Sequence, residues 1–509
     1  MEYEEDDPVF RREKKAVSLK PDVILTADRT LMSNYHRNEF LGFAAAAPPK
    51  ILPEQLFKMM FFPPIKTKRG IPSEAPYALR KVEAQLMSEG FDVLTVDPDH
   101  LGQYLDNAKV LAVTAMDPFG LGPSSTTFAK ILKKGDPYLA KYFRLLFEKP
   151  EVKKAKKRGL RIIVGGPGSW QFKHKPQAFG RLGIDCVIDG EAEKLLGDLF
   201  RKALRGEDLP RFLEVGVKDI PAVQEIPEIQ NPSVNGLVEI GRGCCRGCAF
   251  CQVTTRPLRW YPYEKIEKEL GVNIKAGVSG AVLHAEDVLL YGSKNTIPNR
   301  EKVTKLLRTC KRISRHVSWS HVSMASISAD PKLVHEVGEI LIDERQDYLG
   351  AEIGIETGSS ELLRKTMPAK AHPFKPEEWP TVVKNAAGLM GDNNIVPACT
   401  LIVGLPQETE DDILKTIELI DDLKDFKSFI VPLFFIPLGR LGNKNWFEAE
   451  QMNSLHKELL YECLEHDVKW VKVLMHDYLK GTPYERLLVP FYRFFIWMVE
   501  HKARSLRNP

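Results

Sequence analysis

Cys244, Cys245, Cys248 and Cys251 fall within eight residues, in the run Gly241-Arg-Gly-Cys244-Cys-Arg-Gly-Cys248-Ala-Phe-Cys251. Disulfide frameworks scatter paired cysteines across small secreted chains. This chain has eight cysteines in 509 residues, so the grouping reads as a metal or cluster site in a reducing compartment. Thiolates are soft ligands suited to cluster iron. Three of them hold three irons of a four-iron cluster and leave the fourth open to a small ligand with amine and carboxylate groups. Zinc would want four ligands, commonly as two separated pairs, and no second pair or nearby histidine accompanies these cysteines. Two registers fit the spacing, Cys244-x3-Cys248-x2-Cys251 and Cys245-x2-Cys248-x2-Cys251. The remaining thiols, Cys186, Cys310, Cys399 and Cys463, are isolated and form no second group.

Elements of alternating type must position that loop. Short β-branched runs at Asp22–Ala27, Asp92–Asp97, Val110–Ala115, Arg161–Val164 and Asp185–Ile188 are separated by helical periods such as Tyr77–Glu89. Strands spaced by helices predict an α/β, doubly wound, Rossmann-like sheet over 21–207. Ligands of such sheets sit beyond the C-terminal strand ends, where Asp117–Ser125, Gly165–Trp170 and Asp189–Glu193 fall. A proline-rich stretch, 208–235, reads as a linker. Strand candidates then recur at Leu237–Ile240, Ala281–His284, Trp319–Met324, Gly350–Ile355, Val396–Val403 and Phe429–Ile436. Six such units over 236–438 fit a partial (β/α)6 barrel with its chemistry at the C-terminal strand ends. Residues 439–509 read as helical and 1–20 as a polar arm.

Composition sets the remaining bounds. Lys plus Arg number 72 and Asp plus Glu 68, a net charge of +4, which argues against a nucleic-acid partner. The polar N-terminus is no signal peptide. No apolar run reaches the ~20 residues of a spanning helix; Leu487–Val499 is broken by Pro490 and Arg493 and reads as a buried helix. A cytoplasmic protein without a membrane partner is the expectation.

Cys244-x3-Cys248-x-Phe250-Cys251 after a first barrel strand resembles the signature of the radical S-adenosylmethionine superfamily. The resemblance implies a 4Fe–4S cluster on Cys244, Cys248 and Cys251, with Cys245 a spare thiol. His284-Ala285-Glu286 resembles the site gripping the methionine amine of S-adenosylmethionine; the family usually has Gly-Gly-Glu, so Glu286 alone is carried over. Gly354-Ile355-Glu356-Thr357-Gly358 resembles the strand approaching the ribose, where Glu352 or Glu356 would bind hydroxyls or else form salt bridges. Val403-Gly404-Leu405-Pro406-Gln407-Glu408-Thr409 resembles the turn lining the adenine, with Gly404 at its start; an ordinary capped strand–turn–helix is the alternative. Ser320 and Ser323 are candidates for the methionine carboxylate.

A doubly wound domain ahead of such a barrel resembles the cobalamin-dependent radical S-adenosylmethionine methyltransferases. The stretches that carry the likeness are Ala75–Arg80, Val164–Trp170 and Asp189–Glu193. They imply a nucleotide tail admitted by Gly165, Gly166 and Gly168 beside Ser169 and Glu191, and amides held by Ser124, Ser125 and Thr126. The family's cobalt-ligating Asp-x-His-x-x-Gly is missing, so the cobalt face is open, water-bound or held by another residue. His36 and His100 follow strand ends, but a lone histidine is more often a hydrogen-bonded structural group. Methylthiotransferases, a sister family, carry three more N-terminal cysteines, whereas this N-terminal region has only Cys186.

The family implies reductive cleavage of S-adenosylmethionine, hydrogen abstraction from an unactivated carbon, and methyl transfer from methylcobalamin. Helices after Pro437 are expected to cover the barrel mouth. The segment Leu25–Ser33, with Ala75–Arg80, resembles the archaeal branch of this family; general similarity, and no particular residue, points to the enzymes that C-methylate a glutamine of methyl-coenzyme M reductase, which implies a protein substrate and an external electron donor.

Overall fold

The computed structural model describes residues 20–49, 52–132 and 135–479, with positions 493, 496 and 497. Most of the polar arm and of the aromatic segment Leu487–Val499 lies outside the described residues. The chain divides into two compact units. The first takes in residues up to 239 with 261–282 and 312–315; the second takes in 240–260, 283–311 and 316 onward.

In the first unit, strands β1 (Val23–Ala27), β2 (Val93–Thr95), β3 (Val110–Thr114), β4 (Arg161–Gly165), β5 (Cys186–Asp189) and β6 (Phe212–Glu214) form one sheet. Its order is β2-β1-β3-β4-β5-β6, and every pairing is parallel. Successive residues of a strand point to opposite faces. Ile24, Leu111, Val113 and Ile162 therefore enter one core, while Val23, Leu25, Val110 and Ala112 enter the other. Helices α1 (Tyr77–Ser88), α2 (Pro123–Leu132), α3 (Tyr138–Glu148) and α4 (Glu193–Leu204) intervene. Leu79 of α1 and Phe200 of α4 fill one core, and Phe143 of α3 the other. The strand order reverses between β1 and β3, which makes their C-terminal ends the crevice of this topology.

The stretch 208–235, expected as a linker, instead supplies β6 and an ordered strap. Pro232 O accepts from Arg80 Nε at 2.9 Å, Pro227 O from Lys81 Nζ at 2.7 Å, and Asn273 Oδ1 from Ser233 N at 2.9 Å. A three-residue strand has no readable period, and these anchors are non-local, so the sequence pattern shows only the prolines.

The barrel strands are β7 (Leu237–Glu239), β8 (Gly280–His284), β9 (His316–Trp319), β10 (Leu349–Glu356), β11 (Ile395–Val403) and β12 (Phe429–Phe434). Within the second unit their C-terminal ends form a continuous ladder. Ile240 N donates to His284 O at 2.9 Å, Ser320 N to Leu283 O at 3.0 Å, and Glu352 N to Ser320 O at 2.9 Å; β10, β11 and β12 then pair in parallel. Ala351, Ile353 and Ile355 of β10 are buried, whereas Gly350, Glu352 and Gly354 on its other face are only partly so. Helices α5 (Arg300–Ile313), α6 (Met324–Ala329), α7 (Pro331–Leu341), α8 (Trp379–Asp392) and α9 (Glu410–Asp422) alternate with the strands.

Helix α10 (Ser454–Leu479) follows β12. It starts beside Glu408, which bonds His456 at 3.1 Å, and reaches the N-terminal end of β12, where Asp467 accepts from Ile430 N at 2.7 Å. It thus runs down the side of β12, and the described part does not cover the strand ends. No described helix is long and apolar enough to cross a membrane.

Burial pushes the Asp467 carboxyl up to about 8, although the Ile430 N–H pulls it down. The unfolded chain releases this proton near 3.8. Between those values the folded state retains a proton that the unfolded state has lost, so stability falls with rising pH by about 1.4 kcal/mol per unit. The contribution is complete below the unfolded value and gone above the folded one. Asp467→Asn keeps the acceptor and carries no charge. In circular-dichroism melts its midpoint will exceed the parent's at pH 8 and converge with it toward pH 4; equal midpoints at pH 8 would refute a neutral Asp467.

Candidate cluster and ligand site

The cysteine loop leaves the barrel wall through a two-stranded antiparallel ladder pairing Gly241 with Trp260 and Arg242 with Arg259. That closure makes 243–258 a self-contained excursion. Arg246 N lies 3.5 Å from the Cys244 sulfur. Thr254 Oγ1 donates to the carbonyls of Cys248 and Cys251 at 3.2 and 2.9 Å. The segment after β12 presses on the loop: Leu441 N donates to Ala249 O at 3.2 Å, and a side chain at Gly439 would stand 2.6 Å from Cys251 O.

Electrostatic neighbours sort the thiols. Burial pushes Cys244 up to about 12, and Cys245, Glu286 and Cys248 push it further. Burial pushes Cys251 up to about 11, again helped by Glu286 and Cys248. Cys245, raised by burial, instead feels Arg246 and Asp287. The thiols thus differ in their charged neighbours: Glu286 bears on Cys244 and Cys251, and Arg246 and Asp287 on Cys245. Among the described residues no three His, Cys, Asp or Glu side chains are placed to hold a single metal ion. A four-iron cluster gives each thiolate its own iron, so three thiols of one loop suit it without converging on a single ion.

Arg246, between the cysteines, is the residue that the sequence reading passed over. It is 5% exposed. Its Nη1 donates to the carbonyls of Ala369, Lys370 and His372 at 3.3, 3.0 and 3.0 Å. Its Nη2 meets Asp287 Oδ2 at 3.2 Å, Ser323 Oγ at 2.7 Å and Ser326 Oγ at 2.8 Å. Ser323, expected to meet a ligand carboxylate, is thereby occupied: it also donates to Asp287 at 2.7 Å and caps α6. The only sequence signal for this network was a charged residue inside a glycine-flanked cysteine spacer.

The other barrel candidates lie at successive strand ends. Ser320 Oγ is 2.9 Å from His284 Nδ1. Glu352 pairs with His321 Nε2 at 2.9 Å. Burial would lower that histidine, but the bond and charge of Glu352, with Glu286 and Asp287, hold it above its ordinary value. Glu356 pairs with Lys370 at 3.1 Å. Both carboxylates of the expected ribose strand are thus in salt bridges. Gly404 does not open toward a ligand: a side chain there would lie 2.1 Å from the Phe447 ring. Its N–H donates to Glu408 at 2.8 Å, and Thr409 caps α9 through Asp412, so this turn is the capped strand–turn–helix.

In the first unit Asp117 joins the loops after β3 and β4, accepting from Gln171 Nε2 at 2.6 Å and Gly122 N at 3.0 Å. Gly166 and Gly168 are not openings for a ligand. Side chains there would stand 2.6 Å from Thr114 Oγ1 and 2.4 Å from Met116 O, so close packing of the two loops requires them, whereas Gly165 has nothing nearer than 4.0 Å. Ser169 donates to Gly166 O at 2.8 Å. Glu191 is buried. His100 bonds Asp97 at 3.1 Å and His36 bonds Met59 O at 2.9 Å, both structural roles. At the start of α2, Ser124 is partly exposed, while Ser125 Oγ and Thr126 Oγ1 are buried with no hydrogen-bond partner. Orphaned hydroxyls cost stability unless a ligand meets them, and with Gly165 they fit the polar amides of a corrinoid tail.

Residues 238–420 match the family model of the Radical SAM superfamily, a match that implies a 4Fe–4S cluster and S-adenosylmethionine as cofactors. A tRNA-2-methylthio-N(6)-dimethylallyladenosine synthase of Magnetococcus marinus is 27% identical over 290 residues, 55% of this chain and 62% of that protein. A putative methylthiotransferase of Methanocaldococcus jannaschii is 26% identical over 322 residues, 60% of this chain and 67% of that one. The chain spans less than two thirds of the length of the first of these. The solved structure of the radical S-adenosylmethionine methyltransferase TsrM from Kitasatospora setae, with cobalamin and a [4Fe–4S] cluster bound, aligns with a TM-score of 0.53 at 14% identity. It covers 83% of this chain and 77% of its own, a likeness of fold.

Proposed function

We propose that this chain is a cobalamin-dependent radical S-adenosylmethionine methyltransferase acting on an unactivated carbon, with a glutamine of methyl-coenzyme M reductase the first substrate to test. One observation carries the reading. A three-thiol loop with Glu286 beside it shares a chain with a doubly wound sheet whose helix α2, after β3, holds two unpartnered hydroxyls in its first turn. The cofactors supply the radical and the methyl group when bound. Cys244, Cys248 and Cys251 hold iron, and Glu286 accepts from the ligand's amine. Arg246 and Asp287 keep the loop rigid and dry. Ser125 and Thr126 bond corrinoid amides. Electrons come from an external donor.

The M. marinus and M. jannaschii relatives support a second reading, methylthio transfer. Against it, the first unit contains one cysteine, Cys186, buried in β5 and pushed up to about 12 by burial. The full chain, purified without oxygen and offered cobalamin, is expected to hold about four irons and about one cobalt. With reductant, S-adenosylmethionine and the reductase peptide, it will form 5′-deoxyadenosine and S-adenosylhomocysteine. Iron without cobalt would sink the cobalamin reading, and about eight irons with sulfur transfer would favour the second. Glu286→Gln is expected to weaken S-adenosylmethionine binding about tenfold or more, the scale of losing one charged hydrogen bond, with the cluster's spectrum retained; unchanged binding would remove Glu286 from the site.

A further inference from the structure

The Lys370–Glu356 pair is buried where the segment carrying Lys370 packs on the cysteine loop. The segment 366–372 wraps that loop: Thr366 O accepts from Ala249 N at 3.0 Å, and the Lys370 carbonyl accepts from Arg246 Nη1 at 3.0 Å. The pair itself is buried, with side chains 10% and 9% exposed, and Thr400 Oγ1 meets the second Glu356 oxygen at 3.2 Å. The backbone is bent to place it. Glu356 has φ 68°, where the register of β10 shifts against β11. A side chain at Gly354 would stand 1.8 Å from Glu356 Oε1 and 2.9 Å from Lys370 Nζ.

A non-glycine residue in the left-handed region costs about 1–3 kcal/mol, and a buried ion pair adds little net stability. Packing alone therefore gives no reason for this bend. Charges buried beside a cluster ligand do have a consequence, because in a low dielectric they alter the cluster's electron affinity.

We infer that Lys370 and Glu356 are positioning residues that set the reduction potential of a cluster held by Cys244, Cys248 and Cys251. The inference rests on reading this loop as the cluster site. The ammonium favours the reduced cluster, which gains one electron from the external donor and takes up no proton. The carboxylate limits how much of the ammonium charge the cluster feels, and Gly354 leaves room for the pair.

The test is a redox titration of the reconstituted full chain, followed by electron paramagnetic resonance of the reduced cluster. Lys370→Met is expected to move the midpoint to more negative potential, by about a tenfold change in the reduced-to-oxidised ratio at fixed potential. Glu356→Gln is expected to move it the opposite way, and Lys370→Arg to leave it near the parent's. A merely structural role would not reverse sign between partners. Loaded variants with the parent's midpoint, or both moving in one direction, would overturn the inference. If Lys370→Met takes up no iron, Glu356→Gln decides alone: a less negative midpoint supports the inference and an unchanged one overturns it. A parent that forms no cluster would overturn the site assignment, and this inference with it.

Discussion

Arg246→Met leaves the protein with less than one fifth of the parent's iron after anaerobic reconstitution, and with a lower unfolding midpoint. The guanidinium bonds the carbonyls of Ala369, Lys370 and His372 and the oxygens of Asp287, Ser323 and Ser326. Removing it takes the cationic partner from the Asp287 carboxylate, which is 4% exposed, keeps only the Ser323 and Ser326 hydroxyls on Oδ2 and has an Oδ1 with no partner. Breaking a buried pair from one side costs about 3–5 kcal/mol, mostly from the charge left behind. The loop loses more than stability. Arg246 ties the residue between Cys244 and Cys248 to three separate segments, and a ligand set a single ångström out of place no longer matches a rigid cluster. Arg246→Lys is expected to fail as well, because an ammonium has three donors and no planar fork. The double variant Arg246→Met, Asp287→Leu removes the stranded charge and should recover part of the midpoint without recovering the iron. Full iron in Arg246→Met would show that the cysteine spacing alone builds the site.

Cys244→Ser abolishes the cluster's absorbance and resonance, while Cys245→Ser keeps both. The spacing permits either cysteine as the first ligand. In the folded chain Cys244 and Cys251 both sense Cys248 and Glu286, whereas Cys245 senses Arg246 and Asp287. Serine oxygen is a poor replacement for thiolate on cluster iron, which is soft. The loss at Cys244 should therefore be near complete, and iron and sulfide assays on the two variants measure it. The reverse result, with Cys245→Ser empty and Cys244→Ser loaded, would shift the register by one residue and move Glu286 away from the open iron.

The thiol spacing, the runs Val110–Thr114 and Arg161–Gly165, and the alternation of strands with helices were legible because they are local. A period of two or of 3.6 is written in neighbouring residues, and so is a ligand spacing within one loop. The turn at Gly404–Thr409 had two readings, and packing of Phe447 on Gly404 favours the capped one. The strap at 208–235 was not legible, since its partners Arg80, Lys81 and Asn273 lie far away in the chain. Nor were the glycines: Gly166 and Gly168 look like openings in a glycine-rich run, yet the backbone and side chain of the loop after β3 fill the space. Glu352 and Glu356 had two readings in the sequence, and only the folded chain brings His321 and Lys370 to them.

By itself, then, the sequence determined that three thiols would share one turn beyond a barrel strand and that a doubly wound sheet would stand elsewhere in the chain. Tertiary structure alone decided which carboxylates are already paired and that Arg246 fastens the loop. Spacing along a chain fixes what one turn can present. Pairing and burial depend on segments far apart in the chain, such as Arg246 with Asp287 and His372, 41 and 126 residues away, which meet only when the chain has folded.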